Sequence, residues 1–137
     1  MNALFVVAEL DYADHISLAY LSAVAREEGW ERSFCNLATD SLSATVARLR
    51  PDVVAYSANV MGFKDIVAAH RRARAEHSFV SVLGGPSATF SPQTFAESGM
   101  DAYCVGEGEG AFQEFLRAVA SGRSFSFLKN LITSSGA

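Results

Sequence analysis

The sequence predicts one α/β domain in which a parallel sheet carries helices on both faces. Three observations lead there. Short apolar runs alternate with longer amphipathic stretches five times along the chain. Most of the short runs are apolar without interruption, as strands buried on both faces must be. The chain has 137 residues, half of them hydrophobic, which is the size of one domain around one core.

The first strand is expected over Ala3–Ala8, where Leu4, Phe5, Val6 and Val7 are continuous. A helix from about His15 to Glu28 follows. Leu18, Leu21 and Val24/Ala25 recur on one of its faces, and Gly29 is a natural stop. Arg32–Asn36 reads as a weaker, more polar strand suited to a sheet edge. Asp40 or Ser41 can cap the next helix, which carries Leu42, Val46 and Leu49 on one face and ends before Pro51. Asp52–Ser57 is the third strand, and residues 62–77 form a charged helix with Ile66, Val67 and His70 inward. Phe79–Leu83 is the fourth strand, broken by Gly84-Gly85-Pro86. A short helix around Pro92–Ser98 leads to the fifth strand, Ala102–Val105. The last helix, about Gly110–Ser121, places Phe112, Phe115, Leu116 and Val119 at i, i+3, i+4 and i+7.

Consecutive βα units require right-handed crossovers and a parallel sheet covered on both sides. With the polar strand at an edge, the strand order becomes 2-1-3-4-5, the five-stranded, doubly wound flavodoxin-like (Rossmann-like) arrangement. Its ligands bind at the carboxyl ends of the strands, near the switch point between the first and third. Residues 1–123 are taken as the domain, and 124–137 as a C-terminal tail or linker toward a missing domain. Phe125, Phe127, Leu128, Leu131 and Ile132 make that tail too apolar for a free linker, so it is expected to pack on the domain or on something missing.

Composition narrows the function. A formal charge of −4 and a pI near 5.3 argue against nucleic acid as a partner. No apolar run is long enough for a membrane span, and the N-terminus lacks a signal pattern, so a cytoplasmic protein is expected. Cys35 and Cys104 form no CxxC or CxxxCxxC pair and read as reduced core thiols.

Chemistry is expected at three loops. They are Ser57-Ala58-Asn59-Val60-Met61-Gly62, Gly84-Gly85-Pro86-Ser87-Ala88-Thr89, and Val105-Gly106-Glu107-Gly108-Glu109-Gly110. Glycine admits close backbone approach by a ligand, and Ser57, Ser87 and Thr89 add hydroxyls. Phosphate-binding motifs are absent. GEGEG is not GxGxxG, Glu107 and Glu109 repel a pyrophosphate, and no GxxxxGK[ST] occurs. Glu9, Asp11 and Asp14 read as exposed loop acids. A response-regulator site would need an Asp where the chain has Ser57. The glycine-free first loop also speaks against FMN.

Four stretches carry a family resemblance: LAYLSAVAREEGWE (18–31), RPDVVAYSAN (50–59), VSVLGGPSATFSP (80–92) and MDAYCVGEGEGAFQEFL (100–116). With them the chain resembles the N-terminal cobalamin-binding domain of B12-dependent radical SAM enzymes, from the first strand to about Leu131. The resemblance implies base-off cobalamin at the carboxyl edge, in a cofactor-holding domain of a radical SAM methyltransferase or cyclase. It places Ser57, Ala58, Asn59 and Met61, then Gly84, Gly85, Pro86, Ser87 and Thr89, then Val105, Gly106, Glu107, Gly108 and Glu109 against the cofactor. A side chain at Gly85 is expected to project into the channel of the nucleotide tail. S-adenosylmethionine and the 4Fe–4S cluster belong to a missing barrel domain, supplied in cis or in trans, so this chain alone is not catalytic.

Departures from the family pattern are local. Ser87 stands where the family usually has His, and His15-Ile16-Ser17 replaces a Pro-x-Gly. The DxHxxG motif of other cobalamin carriers, whose His ligates cobalt, is absent: Ala13 precedes His15 by two and Leu18 follows by three. No protein ligand to cobalt is therefore expected, although His15 lies in the corresponding loop. His70 and His77 read as structural or exposed. The rival reading is a docking or regulatory domain of the same fold that has lost its cofactor.

Overall fold

The computed structural model describes residues 1–9, 12–106 and 109–134, with the backbone alone for residues 12–17 and 109. Six strands are β1 (Asn2–Val7), β2 (Glu31–Asn36), β3 (Val53–Ser57), β4 (Val80–Gly84), β5 (Ala102–Cys104) and β6 (Leu131–Thr133). The helices are α1 (Tyr12–Glu27), α2 (Leu42–Leu49), α3 (Phe63–Glu76), α4 (Pro86–Phe90), α5 (Phe95–Ser98) and α6 (Glu109–Ser121), with a 3-10 turn over Pro92–Thr94.

The sheet order is β2-β1-β3-β4-β5-β6. Its first five strands are parallel in the expected order, and apolar β1 and β3 are buried along almost their whole length while β2 is the polar edge. Side chains alternate between two cores. Phe5, Val7, Ala55, Val82 and Cys104 face α1 and α6. Leu4, Val6, Val54, Tyr56 and Leu83 face α2 and α3. Ser41 caps α2, accepting the Ala44 N–H at 3.2 Å, and the helix ends on Arg50 in the left-handed region (φ 47°) before Pro51. An unexpected turn of helix, α4, follows Gly85 because Pro86 at its first position presets the helical φ.

The tail packs on the domain and adds an unexpected strand. The sheet has six strands rather than five, since β6 pairs antiparallel with β5, Cys104 opposite Leu131 and Ala102 opposite Thr133. Phe125 meets the Phe115 ring edge-on at 4.9 Å. Leu128 and Leu131 join the α1/α6 core, and Ile132 joins the other. Three residues of strand are too short to show a period, so only the packing reveals it.

Beneath the α3 face His70 is almost fully buried. Its Nε2 lies 3.1 Å from the Gly99 carbonyl and its Nδ1 2.8 Å from the Tyr56 hydroxyl. The carbonyl can only accept, so Nε2 carries the hydrogen and Nδ1 accepts from Tyr56. Burial, outweighing that bond, holds the imidazole below its ordinary value of 6.5. The unfolded chain therefore takes the proton first. His70 contributes stability that is present above about pH 6.5 and lost as pH falls. The melting temperature is expected to drop between about pH 7.5 and 5.5, and to drop less in His70→Gln. Equal slopes would assign the pH dependence to another group.

Candidate functional site

The register aligns Asn36, Val7, Ser57 and Gly84 as the last row across β2, β1, β3 and β4. Alternation from Ala55 and Val82 turns Ser57 and Gly84 toward the α1/α6 face. Two small residues share that row and leave a hollow among the described residues, where a Cβ built on Gly84 meets no described atom within 4 Å. The hollow faces the start of α1, whose residue 12–17 side chains, His15 among them, lie outside the described residues.

Gly85 behaves differently from expectation. Its φ is +90°, and a Cβ would stand 2.9 Å from the Ala58 carbonyl oxygen and 3.1 Å from Ser57 Oγ. A side chain there strikes the neighbouring loop instead of entering an open channel. Gly85→Ala is expected to cost about 1–3 kcal/mol of stability through backbone strain and this clash. Chemical denaturation checks it, and an unchanged midpoint would show that the loop relaxes freely.

The three loops are tied together. The Ala58 N–H donates to Gly84 O at 3.2 Å, and the Ser87 N–H to Ala58 O at 2.9 Å. The Gly106 N–H donates to Thr89 Oγ1 at 3.0 Å, and the Val105 N–H to Asn130 O at 2.9 Å. Asn59 Oδ1 accepts the Gly62 N–H at 2.8 Å and shapes the turn into α3. Ser57, Ala58 and Ser87 are buried, Pro86 is exposed, and Met61 is 91% exposed. The Thr89 hydroxyl thus serves the loops' own architecture. Met61, Val60 and Phe90 present apolar surface at the strand ends. Glu107 and Gly108 lie outside the described residues, as does the Glu109 side chain.

A cavity of about 820 Å³ opens on the opposite, α2/α3 face of the same edge. Of the expected residues it includes Ser57, Ala58, Asn59 and Met61, but not the 84–89 or 105–106 loops. Its remaining wall was missed from sequence: Glu9, the 37–43 segment, and Asp65 and Arg72 of α3. The available signal was positional, because the loop after β2 and the first turns of α3 must meet beside the end of β1. No group of three or more His, Cys, Asp or Glu side chains suited to a metal occurs among the described residues. Cys35 and Cys104 are buried and form no disulfide. Burial pushes the Cys104 thiol up to about 11 and raises Cys35, so neither is poised as a thiolate. No described helix is long and apolar enough to cross a membrane.

The family model described as the B12 binding domain matches residues 2–116. An uncharacterized methyltransferase of Pyrococcus horikoshii is 34% identical over 116 residues, covering 79% of this chain and 25% of the relative. Among solved structures is the radical S-adenosylmethionine methyltransferase TsrM of Kitasatospora setae, with cobalamin and a 4Fe–4S cluster bound. It superposes with TM-score 0.76 at 20% identity, over 96% of this chain and 27% of that one. A LuxR family DNA-binding response regulator from Silicibacter pomeroyi superposes with TM-score 0.56 at 14% identity, over 90% and 94% of the two chains. The two superpositions establish the shared flavodoxin-like fold. The chain spans about a quarter of the length of both methyltransferases.

Proposed function

Because the chain belongs to the family of B12-binding domains, we propose that it holds cobalamin base-off at the carboxyl edge of its sheet, as the cofactor-holding domain of a radical SAM methyltransferase or cyclase. The observation that carries this reading is the hollow over Gly84, beside Ser57 on the α1/α6 face. Among the described residues, a ligand arm entering there meets backbone and one hydroxyl, which suits a nucleotide tail.

When bound, the cobalt supplies a carrier for a methyl group. The residues of this chain bind and orient. Ser57 and Gly84 line the tail's path. The Ala58–Met61, Gly85–Thr89 and Val105–Glu109 segments form the surround, and hydrogen bonds join Ala58 to Gly84 and Ser87, and Thr89 to Gly106. The exposed Val60, Met61 and Phe90 offer an apolar surface to a broad flat ligand. S-adenosylmethionine and the cluster would be held by a radical SAM barrel in cis or in trans.

The test is reconstitution with hydroxocobalamin followed by gel filtration. A coloured protein carrying roughly one equivalent is expected. Colourless protein at high cobalamin excess would instead favour the cofactor-less docking domain, for which the same exposed apolar residues would be the contact.

The lower face of cobalt is proposed to lack a protein ligand, since no carboxylate stands two residues before His15 to orient its ring. Electron paramagnetic resonance of the Co(II) form should show lines without nitrogen superhyperfine splitting. Splitting that persists with cobalamin lacking its own base, and disappears in His15→Ala, would establish His15 as the ligand.

A further inference from the structure

The outer side of β2 is an edge of the sheet. Its backbone can be followed group by group. The Glu31 N–H donates to the Met1 carbonyl at 3.0 Å and the Leu37 N–H to the Val7 carbonyl at 2.9 Å, both toward β1. Inward and outward groups alternate along a strand, so Arg32, Phe34 and Asn36 turn their N–H and C=O away from β1. Asn36 is already satisfied. Its N–H donates to Asp40 Oδ2 at 3.0 Å, and its carbonyl accepts the Thr39 and Asp40 N–H groups. The N–H and C=O of Arg32 and of Phe34 remain, with no hydrogen-bond partner among the described residues. Beside them the Phe34 ring stacks on Phe5 at 5.6 Å, yet Phe34 is 56% exposed.

This edge is complementary to itself. A twofold axis through Ser33 sets Arg32 opposite the Phe34 of a second, antiparallel copy, and Phe34 opposite its Arg32. Each such pair exchanges both N–H···O=C bonds, so every unmet group of both edges is used. The axis stands perpendicular to the sheet, so side chains keep their faces. Arg32, whose guanidinium donates to Ser22 Oγ at 3.0 Å, then lies beside an aromatic ring. Pairing Phe34 with Phe34 would instead set Arg32 against Asn36, whose groups are spent. Charge favours the same axis. α2 crosses the ends of β1 and β2, since Asn2 Nδ2 donates to the Leu49 carbonyl at 3.3 Å and Thr45 hydrogen-bonds Cys35. Asp40 stands just before α2, and Arg48 lies exposed in its last turn without an ion-pair partner among the described residues. The rotation lays the two α2 helices antiparallel, the acidic start of each toward the basic end of the other.

We propose that β2 is a homodimer interface, in which a second copy of this chain pairs antiparallel along Arg32–Phe34 and joins two six-stranded sheets into one. Charged residues on an edge ordinarily discourage such pairing. Here the register opposes Arg32 to an aromatic ring and not to a like charge. The carboxyl edges of the two copies point in opposite directions, and the loops after β3, β4 and β5 lie beyond β1 from the axis. The interface therefore leaves the candidate site open, and it holds whether or not cobalamin binds.

Sedimentation equilibrium of the 137-residue chain is the first test. The weight-average mass is expected to rise from the 14.7 kDa of one chain toward twice that value between about 10 µM and 1 mM, as befits a small interface. Arg32→Pro removes one donor at an edge position that tolerates proline, and Arg48→Glu reverses one charge. Each is expected to weaken association about tenfold, with circular dichroism reporting the fold. Ser33→Cys reads the register independently of those variants. Ser33 meets itself at the axis in a non-hydrogen-bonded pair, with Cα atoms about 4.5 Å apart, within reach of a disulfide. Mild oxidation with copper phenanthroline should crosslink Ser33→Cys readily and Phe34→Cys poorly, while wild type, whose Cys35 and Cys104 are buried, stays uncrosslinked. A wild-type chain that remains monomeric up to about 1 mM would overturn the proposal. So would dimerisation that a folded Arg32→Pro protein retains in full, or crosslinking of Phe34→Cys in preference to Ser33→Cys.

Discussion

Gly84→Leu is expected to fold normally and to lose cobalamin affinity by about a hundredfold or more. Gly84 closes β4, opposite Ser57, and its φ is not in the left-handed region. A Cβ there meets no described atom within 4 Å and needs no left-handed backbone. The added isobutyl group fills the hollow on the α1/α6 face. Exclusion of the tail removes much of the buried contact that a large cofactor makes. Circular dichroism and thermal melting report the fold, and an absorbance titration reports binding. Cobinamide, which lacks the nucleotide tail, is the internal control: its affinity should differ little between wild type and variant. Wild-type cobalamin affinity in a well-folded Gly84→Leu protein would place the tail elsewhere. Gly85→Ala makes the contrast, since its Cβ meets the Ala58 carbonyl and its cost falls on stability.

Ending the chain after Arg123 is expected to destabilise the domain by on the order of 3 kcal/mol. That boundary looks natural in sequence, where α6 has just ended. In the fold it removes Phe125 from Phe115, strips Leu128 and Leu131 from the α1/α6 core, and takes β6 from β5. Three half-buried apolar side chains at roughly 1 kcal/mol each account for the figure. The Asn130 carbonyl also accepts the Val105 N–H just before the Gly106 loop, so truncation should loosen that loop. Urea denaturation of the 1–123 and full chains, together with hydrogen exchange at Val105 and Gly106, measures both effects. Equal midpoints would show that the tail merely rests on the domain.

The sequence by itself determined the layers and their order. Uninterrupted apolar runs at β1 and β3 could only be strands covered on both faces, and polar β2 could only be an edge. From those facts and right-handed crossovers the order of five strands follows, and with it the edge at which a ligand binds. The three glycine-bearing loops were legible for the same reason: each directly follows a strand end.

What each glycine does was decided by tertiary structure. Gly84 and Gly85 are adjacent and chemically identical, yet one faces open space and the other the Ala58 backbone, because strand alternation and a φ of +90° aim them differently. β6 was equally hidden, since a three-residue strand has no readable period and exists through its contacts with β5 and Phe115. The α2/α3 cavity joins Glu9 to Asp65 and Arg72 across more than fifty residues of chain. No local pattern links them. They meet because β1 and β3 are neighbours, with α2 and α3 packed on one side, and only the assembled sheet brings those loop ends around one space.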